Sequence, residues 1–112
     1  MQSETCEKIL KMLRTLNIPS AYSHFNKPPS VPFVVYTIPE SRRYGADNLN
    51  MLQSSTVRVE LYTDHKDIQL ENRVADLFSE YEIDSYETYI SDQQLYQVVF
   101  EFEIITKIKK EA

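Results

Sequence analysis

The chain has 112 residues, of which 42% are hydrophobic and 26% charged, and its formal net charge is −5. These values are ordinary for a globular domain and exclude a disordered or low-complexity protein. A chain of this length buries roughly two thirds of its unfolded surface, which supports one core but not two. We therefore predict a single domain over residues 1–112, with 107–112 as a charged C-terminal tail.

The one cysteine and the N-terminal residues indicate the compartment. Cys6 has no second cysteine to pair with, so a reducing environment is expected. The N-terminal stretch MQSETCEKIL lacks the basic segment and apolar run of a signal peptide, and no stretch reaches the ~18 apolar residues of a membrane span. We expect a cytoplasmic protein that does not bind membranes.

Charge is unevenly distributed along the chain. All lysines and arginines lie at 1–73 or 107–112, whereas the stretch between contains only acidic charges, namely Asp76, Glu80, Glu82, Asp84, Glu87, Asp92, Glu101 and Glu103. A surface that grips phosphates needs the opposite sign. Specific nucleic-acid binding by this half of the chain is therefore disfavoured.

The first third of the chain predicts a helix, a short strand and a loop. Ser3 is placed to cap a helix that runs to about Leu16, with Cys6, Ile9, Leu10 and Leu13 on its buried face. Pro19 ends this helix. A short extended segment follows at 21–25, and the prolines of NKPPSVP predict a loop.

Two strands are predicted next, joined as a hairpin with a long tip. Residues 33–38 are apolar on both faces, and 51–62 alternate apolar and polar residues. Between them, PESRRYGADNLN interrupts the pattern. It contains Gly45, the only glycine, where we expect a positive φ or a close approach of another group.

The last third predicts a second helix and a second hairpin. The helix covers about 66–81, with Asp64 as its cap and a stripe formed by Leu70, Val74, Leu77, Phe78 and Tyr81. Strands are expected at 86–90 and 95–107. In the second of these, one face belongs to the core, formed by Tyr96, Val98, Phe100, Phe102 and Ile104. The opposite face mixes acidic and aliphatic residues: Gln97, Val99, Glu101, Glu103 and Ile105.

This order of elements predicts an α+β fold, with a largely antiparallel sheet of about five strands and two helices on one face. The other face is then left without a helix. Such a sheet favours association with a partner.

The residues that could carry chemistry are dispersed. Cys6 lies in the apolar stripe of the first helix, and His24 and His65 lie in separate segments, so neither a nucleophile with its base nor a zinc site is indicated. One glycine cannot form a phosphate-binding loop. We predict no catalytic residues, no metal, no cofactor and no enzyme activity.

The candidate site is instead a protein interface. Tyrosine and arginine are favoured at interfaces, and both occur in the segment between the first two long strands. The predicted interface residues there are Arg42, Arg43, Tyr44, Gly45, Asp47 and Asn48. The mixed face of 95–107 is the second predicted contact surface.

An ordered series of segments resembles one protein family. AYSHF, PPSVPFVVY, YGADN, VRVELYTDHKD ahead of a helix, and ETYISDQQLYQVVFEFEI span nearly the whole chain. The series is similar to the small tail-terminator or tail-completion proteins of siphophages and of Gram-positive prophages.

The resemblance implies an α+β virion subunit without enzyme activity. It implies a ring of identical subunits, typically a hexamer, that ends growth of the tail tube and joins the tail to the head connector. The partners would be copies of the chain, the major tail tube protein and neck or connector proteins. DNA would pass through the ring without specific binding, past acidic residues drawn from Glu80, Glu82, Asp84, Glu87, Glu101 and Glu103.

Three other functions remain open from the residues. A head-closure or other neck protein is also a small ring subunit. An adaptor module could bind a peptide along a sheet edge. A small hydrolase would require Cys6 or a histidine to be exposed and perturbed.

Overall fold

The computed structural model describes residues 3–45 and 50–109. Its elements are α1 (Ser3–Arg14), β1 (Ser20–Tyr22), β2 (Phe33–Gly45), β3 (Asn50–Thr63), α2 (Ile68–Leu77), β4 (Asp84–Ile90) and β5 (Leu95–Lys109). The strands form one sheet in the order β1-β2-β3-β5-β4. Every pairing is antiparallel except that of β1 with β2. The predicted α+β fold is confirmed.

Both helices contribute to the core, as their spacing predicts. Ile9 and Leu13 of α1 and Val74 of α2 are fully buried and share one cluster with alternate residues of β2, β3 and β5. We call the face of the sheet that carries these core residues the helix face, and the opposite one the outer face. Burial of large aliphatic and aromatic side chains contributes about 1.5–3 kcal/mol each, so this cluster is the main source of stability.

The first helix ends two residues before the predicted Leu16. Arg14 is its last residue, Leu16 donates to the carbonyl of Leu13 in a tighter turn, and Asn17 adopts a positive φ of 60°. Asparagine tolerates this left-handed conformation, which commonly follows the end of a helix. α1 begins at Ser3, the predicted cap, whose side chain is outside the described part.

The second helix is shorter than the predicted 66–81. Its N-cap is Asp67, whose carboxylate accepts a 3.1 Å hydrogen bond from the backbone nitrogen of Leu70, so the cap predicted at Asp64 is wrong. The C-cap is Phe78, and turns continue to Tyr81. Phe78 and Tyr81 both stack on Phe102, with ring centroids 4.7 and 4.9 Å apart. The apolar stripe therefore continues beyond the last helical residue.

The interruption predicted at 39–50 is wrong for 39–45 and for 50, while 46–49 lie outside the described residues. β2 continues to Gly45, and β3 begins at Asn50. An irregularity between Thr37 and Glu40 places Ile38 and Pro39 opposite the single residue Val57. Proline is tolerated there because β1 no longer pairs with this part of β2, so no ladder hydrogen bond is lost.

A three-stranded arm extends beyond the five-stranded part of the sheet. It consists of residues 40–45, 50–56 and 103–109, where β2, β3 and β5 pair without β1 or β4. β5 thus reaches Lys109, two residues beyond the predicted strand and into the predicted tail; the rest of that tail is not described. The radius of gyration is 15.7 Å, against about 13 Å for a compact domain of this length. The arm gives the protein its elongated shape.

Candidate functional site

The outer face carries the second predicted contact surface. β5 alternates as expected, because Val98, Phe100, Phe102 and Ile104 are buried against the helices. The intervening residues of β5 therefore lie on the outer face. Ile105 is 56% exposed there, whereas Val99 is fully buried.

Val99 is covered by side chains of its own chain. It lies between Glu60 of β3 and Tyr86 of β4 in the register of the sheet. Long polar side chains on this face therefore close over it. Val99 offers no contact surface to a partner in this conformation, unlike the prediction from the sequence.

The cover is a hydrogen-bonded network centred on Arg58. Its guanidinium bonds to Glu60 at 3.0 Å, to Glu101 at 3.2 Å and to the hydroxyl of Tyr86 at 3.0 Å. Burial acts to lower the pKa of Arg58, but the hydrogen bond to Glu60 and the neighbouring charges outweigh it, and the net pKa is raised. Arg58 therefore neutralises the acidic centre of the outer face.

Tyr62 and Gln97 extend the network toward the end of the sheet that is far from the arm. The phenol of Tyr62 donates to Glu60 at 2.7 Å, and Gln97 Nε2 donates to the Tyr62 oxygen at 2.8 Å. Burial, followed by the bond to Glu60, raises the pKa of Tyr62 to about 12. Gln97 and Glu101, predicted as contact residues, are thus held by internal partners.

This network was not predicted from the sequence. Its signal was the alternation of Arg58, Glu60 and Tyr62 with the buried valines of β3. Opposite charges two residues apart share a strand face and can pair. The acidic partner Glu101 came into reach only through the register of β3 with β5.

The predicted residues of β2 separate onto two faces of the arm. Arg42 and Tyr44 lie on the outer face and line a shallow depression with Ser54 and Glu103, whose side chains hydrogen-bond to each other. Tyr44 is 41% exposed. The structure therefore brings together two predicted segments, because β2 and β5 flank β3.

Arg43 lies on the helix face of the arm. Its Nε donates to Gln53 Oε1 at 3.2 Å, and Gln53 Nε2 lies within 3.4 Å of the hydroxyls of Ser41 and Ser55. Gln53 and Ser55 are 3% and 2% exposed. This polar cluster makes Arg43 part of the arm's internal structure rather than a free contact residue.

Gly45 does not have the special backbone that was expected. Its φ is not positive, and an added Cβ would meet nothing within 4 Å. It is the last residue of β2 and lies opposite Met51. The predicted contact residues Asp47 and Asn48 lie outside the described residues.

Five acidic residues surround one depression beside the arm. Glu80, Glu82, Asp84, Glu101 and Glu103 line it together with Thr56, Tyr81 and Phe102, and its volume is ≈ 480 Å³. The sixth predicted residue, Glu87, is elsewhere and pairs with Lys66. In the described part of the chain, no group of three or more His, Cys, Asp or Glu side chains is placed to hold a metal ion.

A second, mostly apolar groove lies on the outer face at the far end from the arm. It has a volume of ≈ 740 Å³, and its lining includes Phe25, Phe33, Tyr62, Pro28, Pro29 and Leu95. His24 is the one histidine among the lining residues. The groove can receive an apolar or aromatic group.

The cysteine and the second histidine do not form a reactive pair. Cys6 packs against the core, and burial raises the pKa of its thiol. Its carbonyl accepts a 3.1 Å hydrogen bond from Tyr36. His65 is exposed and lies 2.7 Å from Asp64. Cys6 at the core and His65 at the surface therefore belong to different parts of the molecule.

No helix among residues 3–45 and 50–109 is long and apolar enough to cross a membrane. Comparison with known proteins found no family model that matches the chain and no curated protein that matches it.

Proposed function

We propose that this chain is a ring-forming tail-terminator or tail-completion subunit of a phage or prophage. The ordered series of segments from AYSHF to the last strand supports the assignment. In this role the subunit assembles in the cytoplasm, caps the tail tube and becomes part of the virion. Its partners are further copies of itself, the tail tube protein and the neck or connector proteins.

The observation that carries the proposal is the three-stranded arm. No described strand other than β3 pairs with residues 40–45 of β2 or residues 103–109 of β5. Unpaired sheet edges and exposed apolar residues such as Tyr44 and Ile105 favour protein association. A subunit that works by assembly has a use for such an arm.

The acidic depression supports the DNA-passage part of the proposal. Glu80, Glu82 and Asp84 approach the acidic residues of β5 without a base among the lining residues. If this surface faces the ring lumen, its charge repels the phosphate backbone and prevents adhesion. Reversing Glu82 and Asp84 to lysine is expected to slow DNA passage without preventing ring formation. Unchanged DNA delivery would contradict the lumen assignment.

Tail length tests the proposed function directly. Deleting the coding sequence from its phage or prophage is expected to give overlong tail tubes and heads without tails in electron micrographs. Supplying the wild-type chain should restore normal tube length and the joining of tails to heads. The variant Lys27→Glu, altered in the exposed proline loop, is the control and should do the same. Normal tails joined to heads after deletion would overturn the proposal.

The same experiment separates a head-closure or neck subunit from a tail terminator. Loss of a neck subunit leaves tail tubes of normal length, because tube growth is ended by another protein. Overlong tubes therefore identify the terminator, and normal unjoined tubes identify the neck protein.

The free edge of β4 favours one alternative of a different class. Residues 84–89 are all exposed, and β4 is the last strand of the sheet. An extended peptide could add to this edge in an adaptor module. The mass of the purified protein distinguishes the two functions, since an adaptor remains a monomer and a terminator forms rings.

A further inference from the structure

The arm has two free edges, one formed by β2 and the other by β5. On one side, β1 pairs with β2 only at Val34–Tyr36, so residues 40–45 form an edge. On the other, β4 pairs with β5 only as far as Glu101, so residues 102–109 form an edge. Within the described residues no strand covers either edge. Long unpaired edges present rows of N–H and C=O groups that another strand can pair with.

The directions of the two edges allow one chain to pair with the next. β2 and β5 are each antiparallel to β3, so they run in the same direction. Placed side by side, β5 of one copy and β2 of another are therefore parallel. Because the two surfaces are different patches, repetition of this contact is heterologous and generates a closed ring when the rotation closes.

The side chains on the two edges are complementary. On the outer face, β2 carries Arg42 and Tyr44, and β5 carries Glu103 and Ile105, with the same two-residue spacing. Placing Arg42 beside Glu103 therefore places Tyr44 beside Ile105, since outer-face residues recur every second position. The first is an opposite-charge pair, and the second pairs an aromatic with a β-branched residue, both stabilising neighbours in sheets.

Arg42 is available for this contact. No acidic side chain among the described residues forms an ion pair with it. Glu103 accepts a hydrogen bond from Ser54 of its own chain, but among the described residues it has no basic partner, so its charge is not compensated. Ile105 is 56% exposed and Tyr44 41% exposed, so an apolar pair would remove both from water.

The register within the chain also favours a stagger between copies. Within one chain, Glu40 is level with Glu103 through Thr56, and Arg42 is level with Ile105 through Ser54. Pairing at the same level would oppose two carboxylates. A shift of two residues, about 6.6 Å, removes this repulsion, and closing a sheet into a barrel requires a stagger of this kind.

We propose that the two free edges of the arm pair with each other between copies of this chain, with residues 41–45 of one copy parallel to residues 102–106 of the next. The inference rests on the self-association contained in the proposed function. The pairing of β4 with β5 stops at Glu101, one residue before the proposed intermolecular pairing begins, and Pro39 limits the pairing on β2. The partner is therefore a second copy of the chain.

Two charge reversals test this contact by mixing. Arg42→Glu alone places like charges at each interface, and so does Glu103→Arg alone. We expect each variant to lose assembly by roughly tenfold or more in association constant. In an equal mixture every interface joins opposite charges when the two variants alternate, so assembly returns. Native mass spectrometry of the separate and mixed proteins measures this, and circular dichroism checks that each variant is folded.

The matched controls are Lys27→Glu and Glu7→Arg, which make the same charge changes at exposed positions outside the arm. They are expected to assemble alone as the wild type does. Assembly of Arg42→Glu alone, no recovery in the mixture, or a wild-type chain that stays monomeric would each overturn the edge pairing. The tail-length experiment tests the proposed function independently of this contact. Rings that form without the contact would contradict the edge pairing but not the proposed function.

Discussion

Arg58 and Glu101 lie directly opposite each other on β3 and β5, and their side chains meet at 3.2 Å on the outer face of the sheet. Arg58 also binds Glu60, so one base compensates two acids that are half-buried. The centre of this face is consequently closed by internal contacts. The proposed surface for partners therefore lies on the arm.

Removal of Arg58 is expected to destabilise the fold. In Arg58→Ala, Glu60 and Glu101 lose their shared counter-charge while remaining partly buried, which costs about 1–2 kcal/mol in the free energy of unfolding. Urea denaturation at neutral pH measures the loss. Lys27→Ala, in an exposed loop, is the control and should change stability by less than about 0.5 kcal/mol. Equal stabilities of the two variants would show that the network contributes nothing.

Val99 and Ile105 are expected to have separable roles. Val99→Ala removes two fully buried carbon atoms and should cost about 2 kcal/mol of stability without altering assembly. Ile105→Ala changes an exposed side chain and should weaken assembly while leaving the urea midpoint nearly unchanged. Denaturation and native mass spectrometry of both variants check this. The prediction fails if Val99→Ala impairs assembly at full stability.

The cap of α2 can be tested by comparing two aspartates. Asp67→Ala removes the acceptor for the Leu70 backbone nitrogen and should cost about 1 kcal/mol. Asp64→Ala removes only an exposed contact to His65 and serves as the control. Thermal unfolding of both variants measures the difference. A larger effect of Asp64→Ala would restore the cap predicted from the sequence.

Two phenols, those of the buried Tyr36 and the half-buried Tyr62, should make the fold sensitive to alkali. Burial raises the pKa of Tyr36 to about 12, as it does for Tyr62. The unfolded chain, with tyrosine pKa values near 10, then loses protons before the folded one. Stability should fall as pH rises from about 10 to 12 and be unaffected by these groups below that window.

Urea midpoints of the wild type and of Tyr62→Phe across this pH range test the linkage. The phenylalanine variant should lose less stability between pH 10 and 12, because it has one fewer group to ionise. Tyr89→Phe, at an exposed position, should follow the wild type. Parallel curves for all three proteins would contradict the assignment to Tyr62.

The main features of the core could be predicted because burial leaves a period in the sequence. Leu70, Val74 and Phe78 recur at helical spacing, and Val98, Phe100 and Phe102 alternate on β5; all six are buried as expected. The arm could not be predicted from the sequence, because residues 40–45 have no apolar period and follow a proline. A strand that no helix covers can be polar on both faces, and its sequence pattern then resembles that of a loop.

The candidate site could be predicted only in part. Arg42 and Tyr44 were selected from residue type, Glu103 and Ile105 as members of the mixed face of the last strand, and all four lie together on the outer face of the arm. Arg43 and Val99 were selected for the same reasons but are used internally. Residue type does not reveal which side chains already have a partner.

The α+β class and the faces of α2 and β5 that enter the core follow from the sequence alone, because hydrophobic periodicity is a local property. The contact of Arg58 with Glu101 across 43 residues of chain, and the two edges of the arm that no other described strand covers, are visible only in the folded chain. Those features depend on strand register and on where neighbouring strands stop, which no local pattern encodes.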